Sequence, residues 1–207
     1  MARAARPCFG AKRSLISITG ILPVLNFRTL TTLKRHMKFD RFETRIDRTA
    51  YVSWPNGGGY QPIEFCINDV SFIELVRRAE LPNAEAEFDA HIIAGEKALT
   101  LEPRGGLAGA YQYLPADKVF LPSRNLLGEP YKCGLISSPN DRRNKKSLLL
   151  QCTCGVTECW FLLATITVDP TSVTWSDFCQ FHRAWQYDLG PFTFERANYE
   201  AQLVNKL

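Results

Sequence analysis

Short runs in which apolar and polar residues alternate, each closed by turn-forming residues, constrain this chain more than any other feature. Phe42, Thr44 and Ile46, then Ala50, Val52 and Trp54, fall on one face of an extended segment, because successive side chains of a strand point to opposite sides. Asn56-Gly57-Gly58-Gly59 tolerates the positive φ of a tight reversal. Ile63, Phe65 and Ile67 then alternate with Glu64, Cys66 and Asn68, so the pair reads as a β-hairpin. Leu148 to Cys154, Trp160 to Val168 and Ser172 to Phe178 are three further strand-like runs, the last two joined by Asp169-Pro170-Thr171. Hairpins in series argue against alternating βαβ units, and so against a doubly wound nucleotide-binding fold.

Helical spacing occurs twice. Ser71 and Glu74 are placed as a capping box, and Phe72, Leu75, Val76 and Ala79 repeat at one-turn intervals until Pro82, which predicts a helix near 71–80. Phe194, Ala197, Ala201 and Val204 after a Thr193 cap predict a C-terminal helix near 194–206. Pro115 can start a single turn through Ala116, Asp117 and Lys118. Residues 83–97 follow neither period, and His91, beside Ile92 and Ile93, reads as a core-edge residue rather than a ligand or base. The fold class is α+β: an antiparallel, hairpin-rich sheet with one internal helix and a C-terminal helix.

A chain of 207 residues, 45% hydrophobic and 22% charged, suits one core without staples. Its net charge of +4 is unevenly spread. Residues 1–39 hold eight bases and no acid, so 17 of the 25 bases and all 21 acids lie in 40–207, which carries −4. A nucleic-acid partner is not expected, because the basic field belongs to a leader and not to the folded surface.

That leader, residues 1–36, is expected to lie outside a single domain spanning 37–207. Ser14 to Leu25 is too short, and too interrupted by Gly20 and Pro23, for a membrane span. The segment fits an extended start upstream of a natural Met37, or a mitochondrial presequence; a secretory signal fits less well, since no small-x-small cleavage site follows. Seven cysteines, an odd number, favour a reducing compartment, and the expected location is cytoplasmic, or mitochondrial if the leader is a presequence.

Two polar segments look capable of holding phosphate. Arg104-Gly105-Gly106-Leu107-Ala108-Gly109 has no long helix after it, and Ser137 to Lys146 carries four bases without interleaved aromatics, so both read as solvated loops. Chemistry is better suggested by Cys152-Thr153-Cys154-Gly155-Val156-Thr157-Glu158-Cys159-Trp160, three thiols in eight residues, with Gly155 able to turn the chain. Cys152, Cys154 and Cys159 with His182 would form a tetrahedral Cys3His zinc shell, although C-x-C-x4-C is not the paired C-x2-C spacing. Cys179 competes with His182 for the fourth place.

The same groups permit thiol catalysis by Cys154 or Cys159 with His182 as base, oriented by Asp177 or Asp188, or inert packing of small thiols. Aromatics from Trp175 to Tyr187, interleaved with Asp177, His182 and Arg183, can line a cleft or anchor a strand through Trp175, Phe178 and Trp185.

The segments CTCGVTECW, WSDF with HR downstream, GPFTFERANYEAQL and LPSRNLLGEP resemble a family of small bacterial proteins of unassigned function, over most of Met37 to Leu203. Phe161 and Cys179 depart from its pattern, which argues against Cys179 as a shared ligand. The resemblance implies a start at Met37 and a bacterial cytoplasmic setting, and it implies no activity. No P-loop, dinucleotide fingerprint, nucleophile elbow or H-E-x-x-H is present. The expected function is a non-enzymatic module that binds a protein or small molecule, with a structural zinc; the alternative is a thiol-dependent enzyme. A chain beginning at Met37 is expected to melt at the same temperature as the full chain in a calorimetric scan, and a large drop would overturn the boundary.

Overall fold

The structure is a computed structural model and describes residues 38–54, 57–96 and 102–204. The leader and the boundary at Met37 lie outside the described residues. β1 (Phe42–Ile46) runs antiparallel to β4 (Ile63–Ile67), pairing Phe42 with Ile67 and Ile46 with Ile63, while β2 (Val52–Ser53) and β3 (Gly59–Tyr60) form a short ribbon between them. β5 (Val70–Ser71) completes a three-stranded sheet in the order β1-β4-β5 and feeds α1 (Phe72–Ile93) directly. After β6 (Tyr111–Gln112) and the single turn α2 (Ala116–Val119) come β7 (Ser147–Cys152), β8 (Leu162–Val168), β9 (Ser172–Gln180) and β10 (Phe192–Glu195). These make a five-stranded antiparallel sheet ordered β10-β9-β8-β7-β6, and α3 (Arg196–Gln202) follows. The fold is α+β with a C-terminal helix, as the alternating runs and turn residues imply.

Asp40 joins the two larger sheets. Its N–H donates to the Thr193 carbonyl at 2.7 Å, and its carboxylate accepts the Thr193 N–H at 2.9 Å. Between the sheets lies an aromatic core around Trp175, fully buried, with the rings of Phe42, Phe72 and Phe194 at 5.3, 5.5 and 5.5 Å. Trp175 is therefore a core anchor.

Three local expectations need correction. α1 does not stop at Pro82 but continues eleven residues beyond it. A proline inside a helix costs about 3 kcal/mol, since it removes one N–H and crowds the carbonyl a turn back. Tertiary contacts on the far side offset that cost: Ala84 is buried, Asn83 Nδ2 donates to the Gln186 carbonyl at 3.2 Å, and Glu87 accepts from Arg183 and Trp185 at 3.0 and 3.1 Å. The Ser71–Glu74 capping box does not form. Ser71 Oγ instead bonds the Tyr113 hydroxyl at 2.7 Å, and that hydroxyl accepts the Ile73 N–H at 3.2 Å, so the helix start is capped from another segment. Thr193 and Phe194 lie in β10, not in the last helix, because they pair with Thr174 and Val173 of β9; residues 205–207 are outside the described residues.

α1 is fastened to the large sheet by a buried carboxylate. Glu80 accepts the Gly109 N–H at 2.8 Å, the Tyr111 hydroxyl at 2.6 Å and the Tyr187 hydroxyl in a short contact. Burial pushes its carboxyl above its ordinary 4.5, more than these three donors pull it down. The folded state thus holds the Glu80 proton more tightly than the unfolded chain, and stability falls as pH rises through the window above 4.5. Tyr187→Phe is expected to cost about 1–3 kcal/mol in urea unfolding. Glu80→Gln, compared with wild type across that window, should remove the decline; identical pH slopes would contradict the assignment.

Candidate metal centre

β7 ends at Cys152 because the chain turns immediately. The Gly155 N–H donates to the Cys152 carbonyl at 3.1 Å, with Gly155 at φ +85°, a left-handed conformation that residues with a Cβ seldom adopt. A 3-10 turn over Thr157–Cys159 then leads into β8, closed by the Cys159 N–H on the Val156 carbonyl at 3.1 Å. Thr157 Oγ1 donates to Gln151 Oε1 at 2.9 Å and ties the turn back onto β7.

This turn brings the sulfurs of Cys152, Cys154 and Cys159 within 4.8 Å of one another. The strand-like run expected through Cys154 is shorter than its apolar pattern suggests, so Cys152 and Cys154 meet through the turn and not along one strand face. With Zn–S bonds of about 2.3 Å, a tetrahedral site places sulfurs roughly 3.8 Å apart, and the observed grouping lies within reach of that geometry. Cys152 is buried, while Cys154 and Cys159 are exposed, so one side of the group opens to solvent.

The thiols differ electrostatically. Burial pushes Cys152 up to about 12. Burial also opposes ionisation of Cys154, but the Val156 N–H together with the Cys152 and Cys159 thiols outweighs it and holds Cys154 below its ordinary value. Cys154 is therefore the sulfur that carries charge more readily than Cys152.

The proposed fourth ligands are elsewhere. His182 is not part of the three-sulfur group. Its Nε2 lies 2.8 Å from the Glu158 carbonyl, and since a carbonyl only accepts, Nε2 carries the hydrogen and a neutral ring has only Nδ1 left to offer a metal. The ring packs edge-on against Phe161 and Phe181 at 5.7 and 5.0 Å. Cys179 Sγ, on β9, bonds the Gln180 carbonyl at 3.4 Å and is also outside the group. Asp177 takes the ammonium of buried Lys146, and neither it nor Asp188 hydrogen-bonds His182.

Sequence reasoning missed two supports of the centre. Glu158 accepts the Tyr131 hydroxyl at 3.2 Å and the Gly134 N–H at 2.9 Å, so the cysteine turn is fixed to the segment before β7. Tyr111 stands opposite Cys152 in the β6–β7 register, which puts the buried thiol beside the Glu80 cluster. Neither pairing leaves a periodic trace in sequence.

The other candidate residues are mostly engaged. Arg104 binds Asp89 at 2.9 Å and Glu85 at 2.8 Å, both on α1, and Arg143 is held by Asp141 and stacks 4.3 Å over Phe181. His91, read as a core-edge residue, is half-buried on α1 and meets Glu96 at 2.6 Å and Glu87, one turn earlier, at 3.9 Å. Glu87 becomes an i−4 partner of His91 only because α1 continues past Pro82. Among the described residues no helix is long and apolar enough to cross a membrane.

No protein-family model, no curated protein and no solved structure matches the chain.

On chelator-treated, reduced protein near neutral pH, iodoacetamide should modify Cys154 well ahead of Cys152, as followed by peptide mass mapping. Equal rates, or Cys152 reacting first, would contradict the order of burial and charge.

Proposed function

We propose that this domain is a non-enzymatic binding module in which Cys152, Cys154 and Cys159 hold a zinc ion. The observation that carries the reading is the convergence of three sulfurs from one eight-residue turn. Thiolates are soft ligands and favour zinc over hard cations such as magnesium. The fourth position is filled from outside this group, by water or an external ligand on the exposed side of Cys154 and Cys159. His182 and Cys179, the sequence candidates, would have to move to reach it.

Because all three ligands lie between 152 and 159, the metal fixes only the β7–β8 connection. The aromatic core around Trp175 does not depend on it, in contrast to a zinc finger whose fold is its metal site. The resemblance to small bacterial proteins of unassigned function adds no activity to this reading.

Thiol chemistry is the second reading, favoured by a separate observation: Cys154 and Cys159 are both exposed with their sulfurs adjacent. Against it, His182 lies outside the three-sulfur group, and no cysteine among the described residues hydrogen-bonds the Nδ1 that its Glu158 contact leaves free.

Elemental analysis of protein purified under reducing conditions is expected to find about one zinc per chain, lost in Cys154→Ser. Bound zinc should protect Cys154 and Cys159 from alkylation until a chelator is added, while the far-UV circular dichroism of the chelated protein stays close to that of the loaded form. Protein that is purified without zinc and takes none up when zinc is added would overturn this reading.

A further inference from the structure

Beside the cysteine turn lies a second feature, a cavity of about 490 Å³. Gly155 and Thr157 of the turn form part of its wall, together with Gln151 of β7. Trp54, Tyr60 and Tyr131 supply three aromatic rings to its wall, and Pro115, Leu148, and Asp117 and Lys118 of α2 complete it. The volume falls in the range of small-molecule sites.

Two of the three rings are held in place. The Tyr60 hydroxyl donates to the Tyr113 carbonyl at 2.9 Å and accepts Gln151 Nε2 in a short contact, and the Tyr131 hydroxyl donates to Glu158. Hydroxyls committed in this way leave the ring faces as the available surface. Trp54, 46% exposed, stands with its ring 6.1 Å from that of Tyr60 and tilted by 46° to it. A large aromatic left this open beside the fixed Tyr60 ring, with Tyr131 lining the same cavity, supplies the faces that a cation–π site needs, since each face presents the negative lobe of its quadrupole.

The polar groups select among ligands. Gln151 is engaged at both ends, by Tyr60 and Thr157, so a sugar with many hydroxyls would find few free partners. Asp117 and Lys118 have no side-chain partner among the described residues, and the chain beyond residue 39 carries a net −4. An anion would meet that overall field and the aromatic faces unfavourably; a cation is attracted by the faces, the field and Asp117, and among the lining residues only Lys118 opposes it. A larger cavity of about 660 Å³ beside α1 lacks this character, since its Arg183 is already paired with Glu87 and its His91 with Glu96.

We infer that the cavity between Trp54, Tyr60 and Tyr131 binds a small organic cation, an alkylated ammonium, with Asp117 as its counter-charge. This names the ligand class for the binding module proposed above and rests on that reading, but not on the metal.

Choline is the probe, compared with its neutral isostere 3,3-dimethylbutan-1-ol, in calorimetric or NMR titrations of the full chain at low salt. Choline should bind saturably and at least about fivefold more tightly than the isostere. Trp54→Ala should weaken it by a similar factor, Asp117→Asn should weaken it, and Lys118→Ala should tighten it. Near-UV circular dichroism checks that each variant keeps its fold. Absence of saturable binding, equal affinity for the isostere, or indifference to Trp54→Ala would overturn the inference, as would the opposite signs for the Asp117 and Lys118 variants, which would mark an anion site. Zinc content, measured on the same samples, reports separately on the metal reading and is expected to stay unchanged in all three variants.

Discussion

Trp175 is the residue on which the separate pieces of this fold depend. Its ring meets Phe42 of β1, Phe65 of β4, Phe72 of α1, Phe194 of β10 and Tyr199 of α3, so one side chain touches both larger sheets and two helices. Its indole N–H would be costly to bury unpaired. It donates to the Tyr199 hydroxyl at 3.0 Å, which donates on to the Leu126 carbonyl at 2.7 Å, and the core therefore closes without an orphaned polar atom at its centre. Neither sheet could form a stable layer alone; the three-stranded one has strands of two to five residues.

With the core fixed in this way, the β7–β8 end of the large sheet is free to carry a special turn. The residues that shape it are local: Gly155 for the reversal, Thr157 to hold the turn to Gln151, and three cysteines brought to one point. What fastens it to the rest is not local. Glu158 reaches Tyr131 and Gly134, and its carbonyl receives His182, so the segments before β7 and after β9 both grip the turn without contributing a sulfur. In this arrangement the histidine is a positioning contact for the loop rather than a member of the three-sulfur group.

The same turn forms a wall of the aromatic cavity, so the sulfur cluster and the cavity share one backbone segment. Glu80, with the Gly109 N–H and the Tyr111 and Tyr187 hydroxyls, holds α1 down. The buried carboxylate is satisfied by three donors from two segments, which specifies how the helix docks more sharply than apolar packing would.

The sequence by itself determined the hairpins, the class and the cysteine turn, because alternation with period two, glycines at reversals and closely spaced thiols are all local signals. It failed where a contact distant in sequence outweighed a local rule. Pro82 should end a helix, yet Asn83 and Glu87 are held by Gln186, Arg183 and Trp185, some hundred residues away. Ser71 should cap that helix, yet the Tyr113 hydroxyl does so. His182 has the right chemistry for a fourth ligand, but its distance from the sulfurs and the partner of its Nε2 are set by how β8 and β9 come together, and only the tertiary structure decides which of two suitable groups a side chain meets.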